Sequence, residues 1–495
     1  MSSFTHTKIY PHKKIINRPW YQIFGTGGIQ RWVIIGIALI AITFVITVGW
    51  SLAKSIQIKA QWAISQTSSF ISSTFGKDMI KDEYGNINVI LIGYGGGWHQ
   101  WGYLADTIIV ASYDPSLHSV SMISIPRDLI INASWYINKV NAILPHQYSK
   151  TKDIWLATMF LAQKVWEITS LDISYYMLID FAWFEKMIDS LGGIDVYVPR
   201  KVYDTTFPWP NWSYTTFSLN SGQQHLDGLT ALKYARSRHS TSDFSRSQRQ
   251  QLILKAIFAK ITNGWSLSLS TVKKLHQSYI DMIKTNISLD EMIGLLQYGK
   301  SVPQIHSFGL TMECSNLVWR TMPAWCLLYP VDSSTWGTFN GMSGLLPIGS
   351  TSSKLSYYKK TQYFWHLVAH NQWYLSENIP ITIRNAGDKA YAKKFPYRNG
   401  LAGSIASKLQ RYGFDITTVD NSDNPSTWTI AIVTTDQPYE ETIRMLKLFV
   451  TIDEIKKEDA PKNLSGEALP GNITLYLGNT TLDQYGSKPF SYYNE

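Results

Sequence analysis

The middle of this 495-residue chain is predicted to fold as an α/β domain, strands and helices layered on one core, with a smaller α/β unit after it. Three observations predict this. Short apolar runs bounded by glycine, proline and aspartate alternate with segments whose apolar residues recur at helical spacing. The composition, 45% hydrophobic and 16% charged, suits two or three folded domains and excludes a disordered or fibrous chain. One long uncharged run near the N-terminus sets everything after it apart.

That run, from Trp32 to Trp50, reads WVIIGIALIAITFVITVGW. At about 1.5 Å per residue it spans roughly 30 Å, the thickness of a hydrocarbon core. Indoles stand at both ends, where they favour the membrane interface. Lys8, Lys13, Lys14, Arg18 and Arg31 precede it without one acidic residue, so the N-terminus is expected in the cytoplasm and the bulk of the chain outside. A cleaved signal peptide is the rival reading, disfavoured by the long leading segment and the length of the run. Outside the cytosol ATP and NAD are scarce, which removes most kinase and dehydrogenase functions. The expected order is a basic tail (1–31), a transmembrane helix (32–53), a stalk (54–85), the main domain (86–300), a linker region (301–378) and the second unit (379–486).

In the main domain, strand Asn88–Ile92 leads into the loop Gly93-Tyr94-Gly95-Gly96-Gly97. Strands Thr107–Ser112 and Ser119–Ile125 follow, joined by a turn at Asp114-Pro115. Asp153–Trp166 and Phe181–Leu191 carry helical periodicity, and strand Ile194–Val198 follows the Gly192-Gly193 break. Residues 204–221, rich in Pro, Trp, Thr and Ser, read as a long surface loop. Helices are expected over Asp227–Tyr234 and Phe244–Ile261. The stretch 300–378 is poorly periodic. Its Cys314 and Cys326 are either a disulfide formed outside the cytosol or buried thiols. In the second unit, strand Ile381–Arg384, helix Leu401–Arg411, strands Asp415–Val419 and Thr429–Val433, a helix near Glu440–Phe449 and strand Ile473–Leu477 are expected.

The net charge of +9 favours anionic partners. Aromatics reach 14%, with 19 Trp and 29 Tyr, which suits sugars, lipids or a membrane interface, or else reflects a bias of the source. The richest segment runs Tyr234-Ala235-Arg236-Ser237-Arg238-His239, then Asp243-Phe244-Ser245-Arg246-Ser247-Gln248-Arg249-Gln250. If 234–238 is extended, Arg236 and Arg238 share a face; if the next segment is helical, Arg246 and Gln250 lie one turn apart. Guanidinium forks near a helix N-terminus suit a pyrophosphate, although a solvated basic face gives the same pattern. A second motif, Ile125-Pro126-Arg127-Asp128, places an arginine at the carboxyl end of a strand, where α/β sheets often bind ligands; a local Arg–Asp turn is the plainer reading. Asp106 heads a strand beside the glycine loop. It is a turn residue, or, next to a pyrophosphate, a magnesium ligand. The loop lacks the Gly-Lys-Ser/Thr of a nucleotide-binding loop, and no serine-hydrolase or zinc-protease motif occurs.

Together these residues resemble the LytR-CpsA-Psr family of cell-wall glycopolymer transferases. The likeness runs through the N-terminal anchor, Asn88–Ile92, Asp106-Thr107, Ile125-Pro126-Arg127-Asp128, and Lys139 with Asn141. It continues through Leu191-Gly192-Gly193-Ile194-Asp195-Val196, Leu226-Asp227-Gly228 and the run from Tyr234 to Gln250, covering 86–265. Residues 379–480 are similar to a C-terminal domain of some members, around Ile383-Arg384-Asn385-Ala386 and Gly400-Leu401-Ala402.

The resemblance implies a central mixed β-sheet sandwiched by helices, with a hydrophobic tunnel for a polyprenyl tail. It implies that Arg127, Arg236, Arg238 and Arg246 grip the pyrophosphate with Gln250 and Lys139 in support, and that Asp106 holds Mg²⁺; either Asp128 or Asp243 is left to orient the arginines or accept a proton in catalysis. Two departures bear on the metal: Gly93-Tyr94-Gly95 stands where many members have a Gly-Ser-Asp-like turn, and Leu104 stands in place of an arginine. The implied activity is transfer of a glycopolymer from a polyprenyl-pyrophosphate-linked glycan to peptidoglycan at the outer face of the cell membrane, with no nucleic-acid partner. The alternatives are a hydrolase of the same lipids and a non-catalytic lipid-binding or regulatory envelope protein.

Overall fold

The structure, a computed structural model, describes residues 79–96, 102–132, 137–209, 213–237, 243–263, 284–288, 291, 295, 304–309, 327–331, 343–350, 355–396, 399–460 and 471–486. The expected membrane segment, Cys314, Cys326, Arg238 and His239 lie outside them. Among the described residues, no helix is long and apolar enough to cross a membrane. The elements below belong to one compact unit, Met79–Ser288 with Leu295–Glu495.

The first strands are β1 (Ile87–Tyr94), β2 (Ala105–Asp114) and β3 (Ser119–Ser124), then the short pair β4 (Ile130–Asn132) and β5 (Ile137–Lys139). Helices α1 (Ile143–Thr151) and α2 (Ile154–Thr169) precede β6 (Tyr175–Asp180) and α3 (Phe181–Ser190). Next come β7 (Ile194–Val198), β8 (Val202–Trp209), β9 (Ser213–Leu219) and β10 (Gly222–Leu226), then α4 (Gly228–Arg236) and α5 (Asp243–Asn263). Strands β11 (Lys284–Thr285), β12 (Gln304–Gly309), β13 (Leu328–Val331) and β14 (Gly344–Pro347) lead to α6 (Lys359–His370) and α7 (Trp373–Glu377).

The central sheet is mixed, in the order β11-β6-β1-β2-β3-β12. β1 and β2 pair antiparallel, as do β2 and β3, whereas β1 with β6 and β3 with β12 are parallel. Alternation along β1 divides its two faces. Ile90 and Ile92 join an apolar cluster with Ala157, Leu161 and Val165 of α2 and Phe364, Trp365 and Val368 of α6. Leu91 and Gly93 line a cavity on the other side, under α3, α4 and α5. Helices therefore cover both faces, as the sequence predicts.

The C-terminal strands β15 (Ile381–Asn385), β16 (Ile416–Asn421), β17 (Ile430–Val433), β18 (Glu454–Lys457) and β19 (Ile473–Leu477) order as β16-β15-β19-β17-β18. Between them lie α8 (Lys389–Ala392), α9 (Leu401–Arg411) and α10 (Glu440–Leu446), and α11 (Asn479–Tyr485) closes the set. Ile381, Ile383 and Leu475 belong to the same continuous cluster as Ile90 and Phe364, so this sheet shares its core with the central one.

Three local expectations are corrected. Residues 204–221 are not a loop: β8 and β9 form a hairpin whose Phe207 and Phe217 are buried, and its aromatic and β-branched residues favour strand over the local Pro and Trp signal. Arg236 is not extended but ends α4. The stretch 301–378, expected as an aperiodic linker, supplies β12 to the sheet and α6 to the core.

Candidate functional site

Arg127 leaves the end of β3 and its guanidinium pairs with the Asp106 carboxylate near the head of β2. The Nε of Arg127 lies 3.5 Å from Asp128 Oδ2, and Lys139 Nζ donates to Asp128 Oδ1 at 2.7 Å. Asp128 thus ties Lys139 to Arg127. The backbone holds the same register: Asn141 N–H donates to the Arg127 carbonyl at 3.3 Å and Val140 N–H to that of Leu129 at 2.8 Å.

Arg236 is placed by α4. Asp227 caps this helix by accepting from Thr230 N–H at 2.8 Å, and Gly228 N–H donates to Asp189 Oδ1 of α3 at 2.8 Å. A Cβ at Gly228 would lie 2.1 Å from the Glu185 carbonyl, so only glycine allows α4 this close to α3. The Leu226-Asp227-Gly228 motif is therefore a buried anchor, a cap and a helix contact in succession. At the other end, the Arg236 guanidinium carbon stands 4.5 Å from the Phe181 ring centroid and 5.5 Å from that of Phe207. It makes no hydrogen bond or ion pair with a described residue. Burial pushes its pKa down and the Asp106 charge pulls it partly back. A guanidinium stays protonated regardless, so Arg236 is a poorly solvated cation.

Helix α5 is oriented by Gln251, whose buried amide donates to Ser124 Oγ and the Phe308 carbonyl, each at 2.8 Å. That turns Arg246, Gln250, Ile253 and Leu254 toward the sheet. They wall a cavity of about 620 Å³. Its apolar walls include Leu91, Ile109, Phe181, Phe184 and Leu232. Its polar lining includes Asp106, Arg127, Asp180, Asp204, Arg236, Arg246 and Gln250. Asp106, Arg127, Arg246 and Gln250 also line a small adjoining recess with Asp128.

Of the residues singled out in the sequence, the fold brings Asp106, Arg127, Arg236, Arg246 and Gln250 to one cavity. Asp128 and Lys139 stand behind Arg127, and Lys139 does not line the main cavity. Sequence reasoning missed Asp180 and Asp204. Asp180 caps α3 through Trp183 N–H at 2.6 Å, and Asp204 is fully buried in β8. An aspartate immediately before a helical run is a readable signal for the first; the second lies in a stretch whose composition reads as a loop. Among the described residues no three His, Cys, Asp or Glu side chains gather as a metal cage.

Two family models match the chain: the LytR_cpsA_psr family over residues 52–325, more than half of it, and the LytR cell envelope-related transcriptional attenuator over 378–480. The chain belongs to the LytR-CpsA-Psr family. Among its relatives, polyisoprenyl-teichoic acid–peptidoglycan teichoic acid transferase TagV of Bacillus subtilis is 29% identical over 196 residues, 39% of this chain and 47% of that protein. The transferase TagU of the same organism is 28% identical over 195 residues, 38% and 56% of the two chains. The match thus spans about half the length of these curated relatives. The probable cell wall biosynthesis protein LcpB of Corynebacterium glutamicum is 29% identical over 164 residues, 33% of this chain and 35% of that one. The crystal structure of B. subtilis TagV aligns with 57% of this chain and 96% of its own at 22% identity, with a TM-score of 0.42.

Proposed function

We propose that this LytR-CpsA-Psr protein transfers a glycopolymer from a polyprenyl-pyrophosphate carrier to peptidoglycan, leaving a phosphodiester link and releasing polyprenyl phosphate. The observation that carries this reading is Arg236. Its guanidinium lies against two phenylalanine rings in the wall of an apolar cavity, with no hydrogen-bonded counter-charge among the described residues. Such a cation is costly until an anion arrives. The apolar lining suits an anion that carries a hydrocarbon tail, and an isoprenoid diphosphate answers both demands. Arg127 and Arg246 bring two more forks to the same space. The relatives' named substrate, a polyisoprenyl-linked teichoic acid, is of this class.

In the reaction an acceptor sugar hydroxyl attacks the glycan-side phosphorus, the bond to the bridging oxygen breaks, and that oxygen leaves on polyprenyl phosphate, with the hydroxyl proton passing to the released phosphate or to solvent. Charge gathers on the phosphoryl and leaving oxygens, and guanidinium groups already aimed there lower the barrier without covalent participation. Asp128, with both oxygens engaged by Lys139 and Arg127, orients Arg127. The donor set fits Mg²⁺, which takes one or two carboxylates plus substrate phosphates: Asp106 would hold it, and it would add charge neutralisation at the diphosphate. The segment 32–53 anchors the protein with its N-terminus in the cytoplasm, so transfer proceeds outside the cell, driven by the pyrophosphate bond.

Full-length protein incubated with a labelled lipid-linked oligosaccharide and wall peptidoglycan tests the reading. Label fixed in peptidoglycan, with matching release of polyprenyl phosphate, is expected. Free glycan phosphate without wall-linked label identifies a hydrolase. Lipid binding without turnover identifies a binding protein.

A further inference from the structure

Arg236 is useful only if its backbone is held, and the residues on either side of it are pinned by groups from two other elements. Arg249 of α5 is 5% exposed. Its Nε donates to the Tyr234 carbonyl at 2.9 Å and a terminal nitrogen donates to the Ser237 carbonyl. These carbonyls, two residues before Arg236 and one after, lie at the C-terminal end of α4, where a cation is favourable. Ser237 is fully buried, and its hydroxyl donates to Asp204 Oδ2 at 2.7 Å. Asp204, equally buried, also accepts from Thr206 N–H at 3.1 Å, and its charge acts on Arg249. Strand β8 therefore contributes twice: its carboxylate fixes Ser237, and its Phe207 ring cushions the Arg236 guanidinium.

We infer that Asp204, Ser237 and Arg249 form a lock of positioning residues that aims Arg236 into the cavity and so sets affinity for the diphosphate rather than for the hydrocarbon tail. The inference rests on the proposed lipid-pyrophosphate reading. None of the three needs to touch the ligand. Buried polar groups of this kind are more than packing when they hold one side chain in a working geometry, and the two roles separate in a double-mutant cycle. A packing role costs stability and affects all ligands alike. A positioning role acts through Arg236 and vanishes once Arg236 is gone.

The test uses full-length protein in detergent, with geranylgeranyl pyrophosphate and geranylgeraniol as probes, titrated against wild type, Ser237→Ala, Arg249→Lys, Arg236→Ala and the doubles. Ser237→Ala and Arg249→Lys are each expected to weaken pyrophosphate binding by about tenfold, roughly 1.4 kcal/mol, and to leave alcohol binding unchanged. Combined with Arg236→Ala, neither is expected to add more than about twofold, since sites that act through one side chain are non-additive. Thermal melting confirms that each variant is folded, and Ser237→Ala, the mildest change, carries the comparison if Arg249→Lys does not fold. Wild-type affinity in the lock variants, equal loss for both probes, or full additivity with Arg236→Ala overturns the lock. If Arg236→Ala itself binds the pyrophosphate as tightly as wild type does, the lipid-pyrophosphate reading fails first and the lock falls with it.

Discussion

Arg127 and Asp106, 21 positions apart in the chain, meet as an ion pair where β3 ends and β2 begins, in the wall of the cavity. The pair presents a cation and a carboxylate side by side in that wall. Asp106→Asn keeps the shape and removes the charge. It is expected to raise the Mg²⁺ concentration for half-maximal transfer by about tenfold or more, because a hard cation loses its protein carboxylate. A magnesium titration of the transfer rate checks this; an unchanged midpoint takes Asp106 out of the metal site.

Arg236→Ala is expected to lower kcat/KM by about a hundredfold or more, the scale seen when one preorganised donor to developing charge is removed. Arg236→Lys is expected to recover only part of that, since an ammonium is a point charge without the planar fork that stacks on Phe181. Steady-state kinetics on both variants decide it, and full recovery by lysine would reduce the role to bulk charge.

Strands β1, β2 and β3 are legible in the sequence because each is a short, mostly apolar run with glycine, proline or aspartate near its ends. The arginine run is legible because helical spacing puts Arg246 and Gln250 on one face without knowledge of the fold. Helix α6 is not. Thr361, Phe364, Trp365, Leu367, Val368 and Ala369 are all buried, but the aromatic and β-branched residues among them have little helix propensity of their own. The hairpin β8–β9 escapes a local reading because a buried Asp204 sits in its inward row, where alternation calls for an apolar residue. Arg249, from another helix, holds carbonyls at the end of α4, where Arg236 sits. That information is tertiary, and no local pattern carries it.

Two glycines are expected to respond to alanine with opposite signs. At Gly228 a methyl group would collide with the Glu185 backbone, so Gly228→Ala is expected to destabilise by about 1–3 kcal/mol as α4 is pushed off α3. Gly403 lies inside α9, and a methyl group there would meet nothing within 4 Å, so Gly403→Ala is expected to stabilise by about 0.5–1 kcal/mol. Denaturant unfolding of the two variants checks both signs.

His306 on β12 has its pKa pushed down to about 4 by burial and by the neighbouring Lys255 charge. Its Nε2 is buried without a hydrogen-bond partner among the described residues. The unfolded imidazole takes a proton near pH 6.5 and the folded one does not until about pH 4. The unfolded state therefore binds more protons in between, and stability is expected to fall as pH drops through that window, by about 3 kcal/mol. Melting temperatures recorded from pH 7 to pH 4 are expected to fall less steeply in His306→Gln than in wild type. Parallel curves would assign the acid limb to other groups.

We propose that one cavity holds an isoprenoid tail while the arginines in its lining hold the diphosphate. A crystal structure of the full-length protein with a polyprenyl pyrophosphate measures this most directly. Isoprenoid carbons are expected against Leu91, Phe181, Phe184 and Leu232, with phosphate oxygens within hydrogen-bonding distance of Arg127, Arg236 and Arg246. A ligand seated elsewhere, or a diphosphate out of reach of Arg236, would contradict the account.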